Sequence, residues 1–98
     1  MISACHKGKL RRIRYLLDRG ANPNKTTNRG EHTLLSIVCW KGHLQCARLL
    51  LERGADPNKM TSKDETPLAI VCMTGNLPYV RLLWEHGVNE EVGVVILR

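Results

Sequence analysis

The chain is poor in aromatic residues: its 98 residues include two Trp, two Tyr and no Phe. A hydrophobic core must therefore be built mainly from Leu, Ile, Val, Ala and Cys side chains. Hydrophobic residues still make up 43% of the sequence, which favours a folded chain over a disordered one. A chain of this length forms one domain with a modest core.

Other absences exclude whole classes of protein. No apolar run approaches the roughly 18 residues of a membrane-spanning helix, and the N-terminal stretch MISACHKGK lacks the apolar region of a signal peptide. The four cysteines include no C-x-x-C pair, and thiols of intracellular proteins stay reduced. We expect an intracellular protein, cytoplasmic or nuclear, without disulfides and without a membrane partner.

The sequence also lacks the signatures of catalysis. It contains no glycine-rich phosphate loop, no paired-carboxylate signature and no nucleophile elbow. Cys39, His43 and Cys46 are close in sequence, but Gly42 interrupts any helix between the first two, so helical spacing does not bring them together. We therefore predict no catalytic residue, no cofactor and no metal site.

The chain does contain an internal repeat. The heptapeptide RGANPNK at residues 19–25 returns as RGADPNK at residues 53–59, 34 positions later. Such a period predicts a stack of short units, each of which buries its apolar face against its neighbours. Two sets of glycines keep spacings of 34 and 33 residues: Gly8, Gly42 and Gly75, and Gly20, Gly54 and Gly87.

The residues between these glycines predict two short helices per unit. Thr66 is a good N-cap and Pro67 suits the first helical position, so a helix over TPLAIVCMT should end at Gly75. A second helix, NLPYVRLLWEH, tolerates Pro78 in its first turn and should stop at Gly87. The heptapeptide is then the turn between units, where Arg and Gly end a helix and the Pro and Asn/Asp residues hold an extended loop.

Two segments, ANPNKTTNRGEHTLLSIVCWKGHLQCARLLLERG and ADPNKMTSKDETPLAIVCMTGNLPYVRLLWEHG, resemble ankyrin repeats. The matching features are the T-P-L start, the Gly before the second helix, the paired Leu and the closing G-A-D/N-x-N. The resemblance implies an all-α solenoid of stacked helix-turn-helix units joined by β-hairpin-like loops. We predict a single domain over 1–98, with a partial repeat at 1–25, repeats at 26–59 and 60–91, and a non-repeat tail at 92–98.

The sequence departs from the family pattern in several places. Thr33 is followed by Leu34 rather than Pro, and Ser36 and Ala69 stand where the family has a His that ties its turn together. We therefore expect both turns to be loose. The last residues, NEEVGVVILR, are apolar and prone to form a strand. They could fold back as a cap, pair with another chain through the uncapped C-terminal end, or belong to a longer array.

Comparison of the units with one another predicts the core. Equivalent apolar positions should stack between neighbouring helix pairs, and the equivalent cysteines should be buried, as should Cys46 on the inner side of its helix. The arginines at equivalent positions 14, 48 and 81 should form a solvated column. The predicted stacks are Cys5, Cys39 and Cys72; Leu10, Leu44 and Leu77; Ile13, Ala47 and Val80; and Leu16, Leu50 and Leu83.

The resemblance implies a function in protein binding, through a concave groove and the adjacent loop tips. By the same resemblance, the groove should be lined by the two residues before each mid-unit Gly. Trp40 is the expected anchor, unless it is tucked under a hairpin, and the partner segment should carry acidic residues beside an apolar one. The expected groove residues are His6, Lys7, Trp40, Lys41, Met73 and Thr74, and those at the tips are Arg29, His32, Met60, Lys63 and Glu65.

The uneven charge suggests an alternative. The net charge is +6, and residues 1–32 hold eight basic and two acidic residues, which permits an acidic or nucleic-acid ligand there. Tyr15, the aromatic neighbour of HKGKLRRIR (6–14), lies in a pattern typical of a core position, and a basic patch without stacking aromatics is a weak indication of nucleic-acid binding. A second alternative is a regulatory or targeting segment of a larger enzyme.

Two asparagines are candidates for modification. By resemblance, Asn58, which has Leu50 eight residues before it, loosely matches the substrate pattern of an asparaginyl hydroxylase, as does Asn24 with Leu16. The structural interpretation of both residues is an Asn that hydrogen-bonds backbone near its loop.

Overall fold

The computed structural model describes residues 1–27 and 30–86. Within these ranges the regular secondary structure is helical, and the single β pairing is an isolated antiparallel bridge between Thr26 and Thr33. This confirms the all-α prediction, with a hairpin-like loop before the middle helix pair. The helices are α1 (Ile2–Lys7), α2 (Leu10–Asp18), α3 (Leu34–Lys41), α4 (Leu44–Glu52), α5 (Pro67–Thr74) and α6 (Leu77–Glu85).

The helices end where the sequence predicts. Gly42 and Gly75 adopt left-handed conformations at the ends of α3 and α5, with φ of 76° and 70°, which a residue with a Cβ rarely adopts. Arg19 and Arg53 of the repeated heptapeptide cap α2 and α4. The heptapeptide is therefore the turn between units. The predicted stop at Gly87 lies outside the described residues, as does the tail.

The helix starts agree with the predicted caps, but the expectation of loose turns is wrong for the middle unit. Thr33 N–H donates to Ser36 Oγ and Ser36 N–H donates to Thr33 Oγ1, both at 2.9 Å. Ser36 Oγ also donates to Thr33 O at 2.8 Å, and Ser36 is fully buried. A serine thus closes a capping box where the family has a His. The next unit keeps one of these bonds, from Ala69 N–H to Thr66 Oγ1 at 3.1 Å.

The helices form two layers. The first helices of the units, α1, α3 and α5, pack side by side, and so do the second helices, α2, α4 and α6. The core lies between the layers, where the stack of Ile13, Ala47 and Val80 is buried as predicted, together with Leu50 and Leu83. Cys5, Cys39 and Cys46 are buried as well. The stack gives the described residues extents of 40 × 26 × 20 Å.

Two predicted core residues of the last helix pair are exposed. Cys72 is accessible, and Leu77 is 73% exposed, whereas the equivalent Leu10 and Leu44 are partly buried against the core. The reason is positional: α5 and α6 form the last described pair, so no described helix packs on their far side. Leu16 is also only partly buried.

Tyr15 is likewise not a core residue. It is 56% exposed, whereas Leu49 and Leu82, at the equivalent positions of α4 and α6, are 4% and 2% exposed. In the stretch IRYLL (residues 13–17), Ile13 and Leu17 are buried in the core, and Tyr15 lies on the opposite side of α2. In contrast, the arginines at 14, 48 and 81 are exposed as predicted.

Candidate partner-binding surface

Trp40 and Lys41 are exposed at the end of an otherwise buried helix. The residues from Leu34 to Cys39 are all buried, because α3 lies between α1 and α5 and also contacts α4. Trp40 is 43% exposed. Its indole borders an open cavity of about 270 Å³, here called the Trp40 cavity, which is lined by His6, His32, Ile37, Trp40 and Lys41.

Hydrogen bonds hold two walls of the Trp40 cavity in place. His32 N–H donates to Thr27 Oγ1 at 3.0 Å, and Thr27 N–H donates to His32 O at 2.9 Å, which closes the first hairpin. At a second lining residue, His6 O accepts from His43 Nε2 at 3.1 Å. A carbonyl can only accept, so Nε2 of His43 carries the hydrogen. Hydrogen bonds therefore fix the backbone of His32 and of His6, two of the residues that line the cavity.

His43 packs tightly on the first unit. A Cβ atom at Gly8 would lie 2.6 Å from Nδ1 of the His43 ring, and Gly8 itself is left-handed, with φ of 66°. Only glycine therefore fits between α1 and the imidazole. This contact, which the sequence did not indicate, positions the end of α1 and with it His6.

The structure brings four of the predicted binding residues together and adds a fifth. His6, His32, Trp40 and Lys41 line the Trp40 cavity, and so does Ile37, which the sequence reasoning missed. The signal was available, since residues three apart on a helix lie on the same face. The other predicted residues do not line this cavity: Lys7, Met60, Lys63, Met73 and Thr74 are exposed, Glu65 is partly buried, and Arg29 lies outside the described residues.

The loop tip at Ser62, before α5, is hydrogen-bonded to the loop tip at Gly30, before α3. Ser62 N–H donates to Gly30 O at 2.8 Å, which joins the two tips through their backbones. Thr61 Oγ1 accepts from the N–H groups of Lys63 and Glu65 at 3.2 and 3.3 Å. The predicted tip residues Lys63 and Glu65 therefore project from a turn that buried Thr61 organises.

The charged residue that lines the cavity is Lys41, and Lys7 follows the cavity-lining His6 in the sequence. Within the described ranges, neither Lys7 nor Lys41 has an ion-pair partner, and the ion pair there joins Arg53 to Asp18, away from the cavity. The thiol next to Trp40 is inert, since burial raises the pKa of Cys39 to about 12. Burial likewise raises the pKa of Cys5 to about 11. These thiols are neutral, and the described residues contain no group of three metal-ligating side chains.

The candidate modification sites lie in the loops between units. Asn24 Oδ1 accepts from Asp56 N–H at 2.7 Å, and Asn24 Nδ2 donates to Gly54 O at 3.0 Å. Its amide therefore ties one loop to the next, as the structural interpretation predicts. Asn58 N–H donates to Asp56 Oδ1 at 2.9 Å. Hydroxylation of either residue stays a prediction.

Comparison with known proteins agrees with this geometry. A family model described as ankyrin repeats (many copies) matches residues 1–51 and 32–84. Among solved structures, the chain is similar to the human ASB11 ankyrin repeat domain, with 34% identity and a TM-score of 0.80. That similarity covers 89% of this chain and 39% of the other. A search of curated proteins gave no match, and none of the described helices is long and apolar enough to cross a membrane.

Proposed function

We propose, on the premise that this chain belongs to the ankyrin repeat family, that it binds a protein segment through the Trp40 cavity and the neighbouring loop tips. Ankyrin repeats are generally protein-interaction modules and typically have no catalytic activity. We accordingly propose a non-catalytic role. Four free thiols, three of them buried, suit a reducing intracellular compartment.

The exposure of Trp40 is the observation that carries the proposal. A large rigid indole that is 43% exposed offers apolar area at little entropic cost, and Trp is enriched among the residues that dominate binding energy. The cavity beside it is lined by Ile37 and two imidazoles and has room for one apolar side chain. Met60 and Met73 lie outside the cavity lining and are 56% and 59% exposed, and we propose that the bound segment also contacts these adaptable side chains.

We infer the chemistry of the partner from two lysines: Lys41, which lines the cavity, and Lys7, which follows the cavity-lining His6 in the sequence. Lys7 and Lys41 are exposed and have no acidic partner among the described residues. A segment with a carboxylate next to the inserted apolar side chain would complement them. Charges of this kind accelerate association more than they increase affinity, so added salt should slow binding, whereas Trp40 should control dissociation.

Selection of peptides from a displayed random library on the immobilised chain tests the proposal. Selected peptides should combine acidic residues with an apolar one. Their affinity should fall by at least about 2 kcal/mol in Trp40→Ala, roughly 30-fold in Kd. Trp84→Ala is the matched control, because Trp84 is 37% exposed on α6 and lies outside the cavity. If the selected peptides bind Trp40→Ala and wild type equally well, the Trp40 cavity is not the binding site.

A further inference from the structure

A second surface, separate from the Trp40 cavity, lies on α2. Ile13 and Leu17 are the residues of α2 that are buried in the core, and the exposed side chains of the helix point away from them. None of them lines the Trp40 cavity. We call this the α2 outer surface, and it comprises Arg11, Arg12, Arg14, Tyr15 and Arg19.

The basic groups of this surface are without acidic partners in the described part of the chain. Arg11, Arg12 and Arg14 are exposed, and none forms an ion pair or hydrogen bond through its guanidinium there. The single carboxylate of α2, Asp18, is engaged by Arg53 of the next unit. The first turn of α2 contains no acidic residue. Several guanidinium groups are thus free to donate bidentate hydrogen bonds to carboxylates.

Tyr15 adds an apolar element at the centre of this surface. Arg11, Tyr15 and Arg19 are spaced by four residues, so they lie in one row along the helix and its cap. The guanidinium carbon of Arg19 lies 5.3 Å from the centroid of the Tyr15 ring, within the range of a cation–π contact. The ring is held under Arg19 and is still 56% exposed. Tyr and Arg are the residue types that, with Trp, dominate protein interfaces.

We propose that the α2 outer surface is a second docking site, which takes an acidic protein segment that carries apolar residues between its carboxylates. A protein segment fits better than a nucleic-acid strand. Single-stranded nucleic acid is bound in a charged groove by several aromatic rings on which successive bases stack. The α2 outer surface is one side of a nine-residue helix with one ring, and Arg19 covers one face of that ring.

Fluorescence anisotropy with a labelled peptide of Glu-Glu-Leu repeats tests this inference on the full chain. The peptide should still bind Trp40→Ala, in which the Trp40 cavity is weakened, and the effects given next are those expected in that background. The triple variant Arg11→Gln, Arg12→Gln, Arg14→Gln should bind at least about tenfold more weakly, and Tyr15→Ala should bind severalfold more weakly. Arg81→Gln removes an exposed arginine of α6 and should leave Kd unchanged. A Gln-Gln-Leu peptide should not bind.

Three results would overturn the inference. In the first, Arg81→Gln weakens binding as much as the triple variant, which would show that the peptide responds to the overall charge of the chain and not to the α2 outer surface. In the second, Trp40→Ala abolishes binding while the α2 variants of the wild-type chain still bind. That result would support the Trp40 cavity as the binding site and refute the α2 outer surface. In the third, single-stranded oligothymidylate binds more tightly than the peptide, with log Kd linear in log salt concentration. All variants change exposed side chains, and circular dichroism melts should show that each is folded before its binding is compared.

Discussion

The hydroxyl of Tyr79 donates a hydrogen bond to the carbonyl oxygen of Val38 at 3.2 Å, across the core between the third and second units. Tyr79 is fully buried and is among the largest fully buried side chains. Val38 O is also the acceptor for His43 N–H at 3.0 Å. The carbonyl oxygen of Val38 thus accepts one hydrogen bond from the turn after α3 and one from the next unit.

Tyr79→Phe should therefore destabilise the chain only moderately. The ring still fills its place, and Val38 O keeps its bond from His43, so no buried acceptor is orphaned. We expect a loss of about 0.5–1.5 kcal/mol in the free energy of unfolding, measured by urea denaturation. Tyr15→Phe is the control, because Tyr15 is exposed, and it should have no measurable effect. Equal midpoints for both variants would contradict the assigned bond.

Leu50→Ala should destabilise the chain far more than Leu77→Ala. Both residues belong to the predicted apolar stacks, but Leu50 is fully buried and Leu77 is 73% exposed. Loss of the buried side chain leaves a cavity and should cost about 2–5 kcal/mol. The exposed substitution should stay within about 0.5 kcal/mol. Thermal melts followed by circular dichroism distinguish the two. A large effect of Leu77→Ala would mean that this side chain is covered.

The N-caps of α3 and α5 allow a reciprocal test. Ser36→Ala removes two hydrogen bonds at the start of α3 and should cost about 0.5–2 kcal/mol. Ala69→Ser places a hydroxyl at the equivalent position of α5, where Thr66 already accepts from Ala69 N–H, and should stabilise that turn. Denaturant midpoints should move in opposite directions. A stabilised Ser36→Ala variant would show that burial of this hydroxyl costs more than its bonds contribute.

The four cysteines should separate into one fast and three slow thiols. The thiolate is the reactive form, and burial raises the pKa of Cys5 to about 11 and that of Cys39 to about 12. Cys46 is buried as well, whereas Cys72 is exposed. A thiol reagent near neutral pH should label one site rapidly, and Cys72→Ser should abolish that phase. In urea all four should react. A second rapid site in the native chain would contradict the described core.

Much of the fold follows from the sequence because its signals are local. Threonine caps and left-handed glycines act within one turn, so Thr66 and Gly75 mark a helix without any tertiary information. The 34-residue period then specifies how the units stack, since equivalent residues must meet equivalent neighbours. Of the candidate site, the resemblance predicted Trp40 and Lys41, the two residues before a helix-ending glycine, and both line the Trp40 cavity. The choice of Trp40 as an anchor came from the resemblance and stays a proposal.

Only the tertiary structure decided which equivalent positions are covered. Cys39 and Cys72 occupy the same place in their units, yet one is buried and the other exposed, because burial depends on the neighbouring helix pair and not on the residue. For the same reason, Tyr15 is exposed where Leu49 is buried. The contact between His43 and Gly8 and the Trp40 cavity also join residues of different units. The sequence determined the repeating unit, and the packing of one unit on another determined its accessible surface.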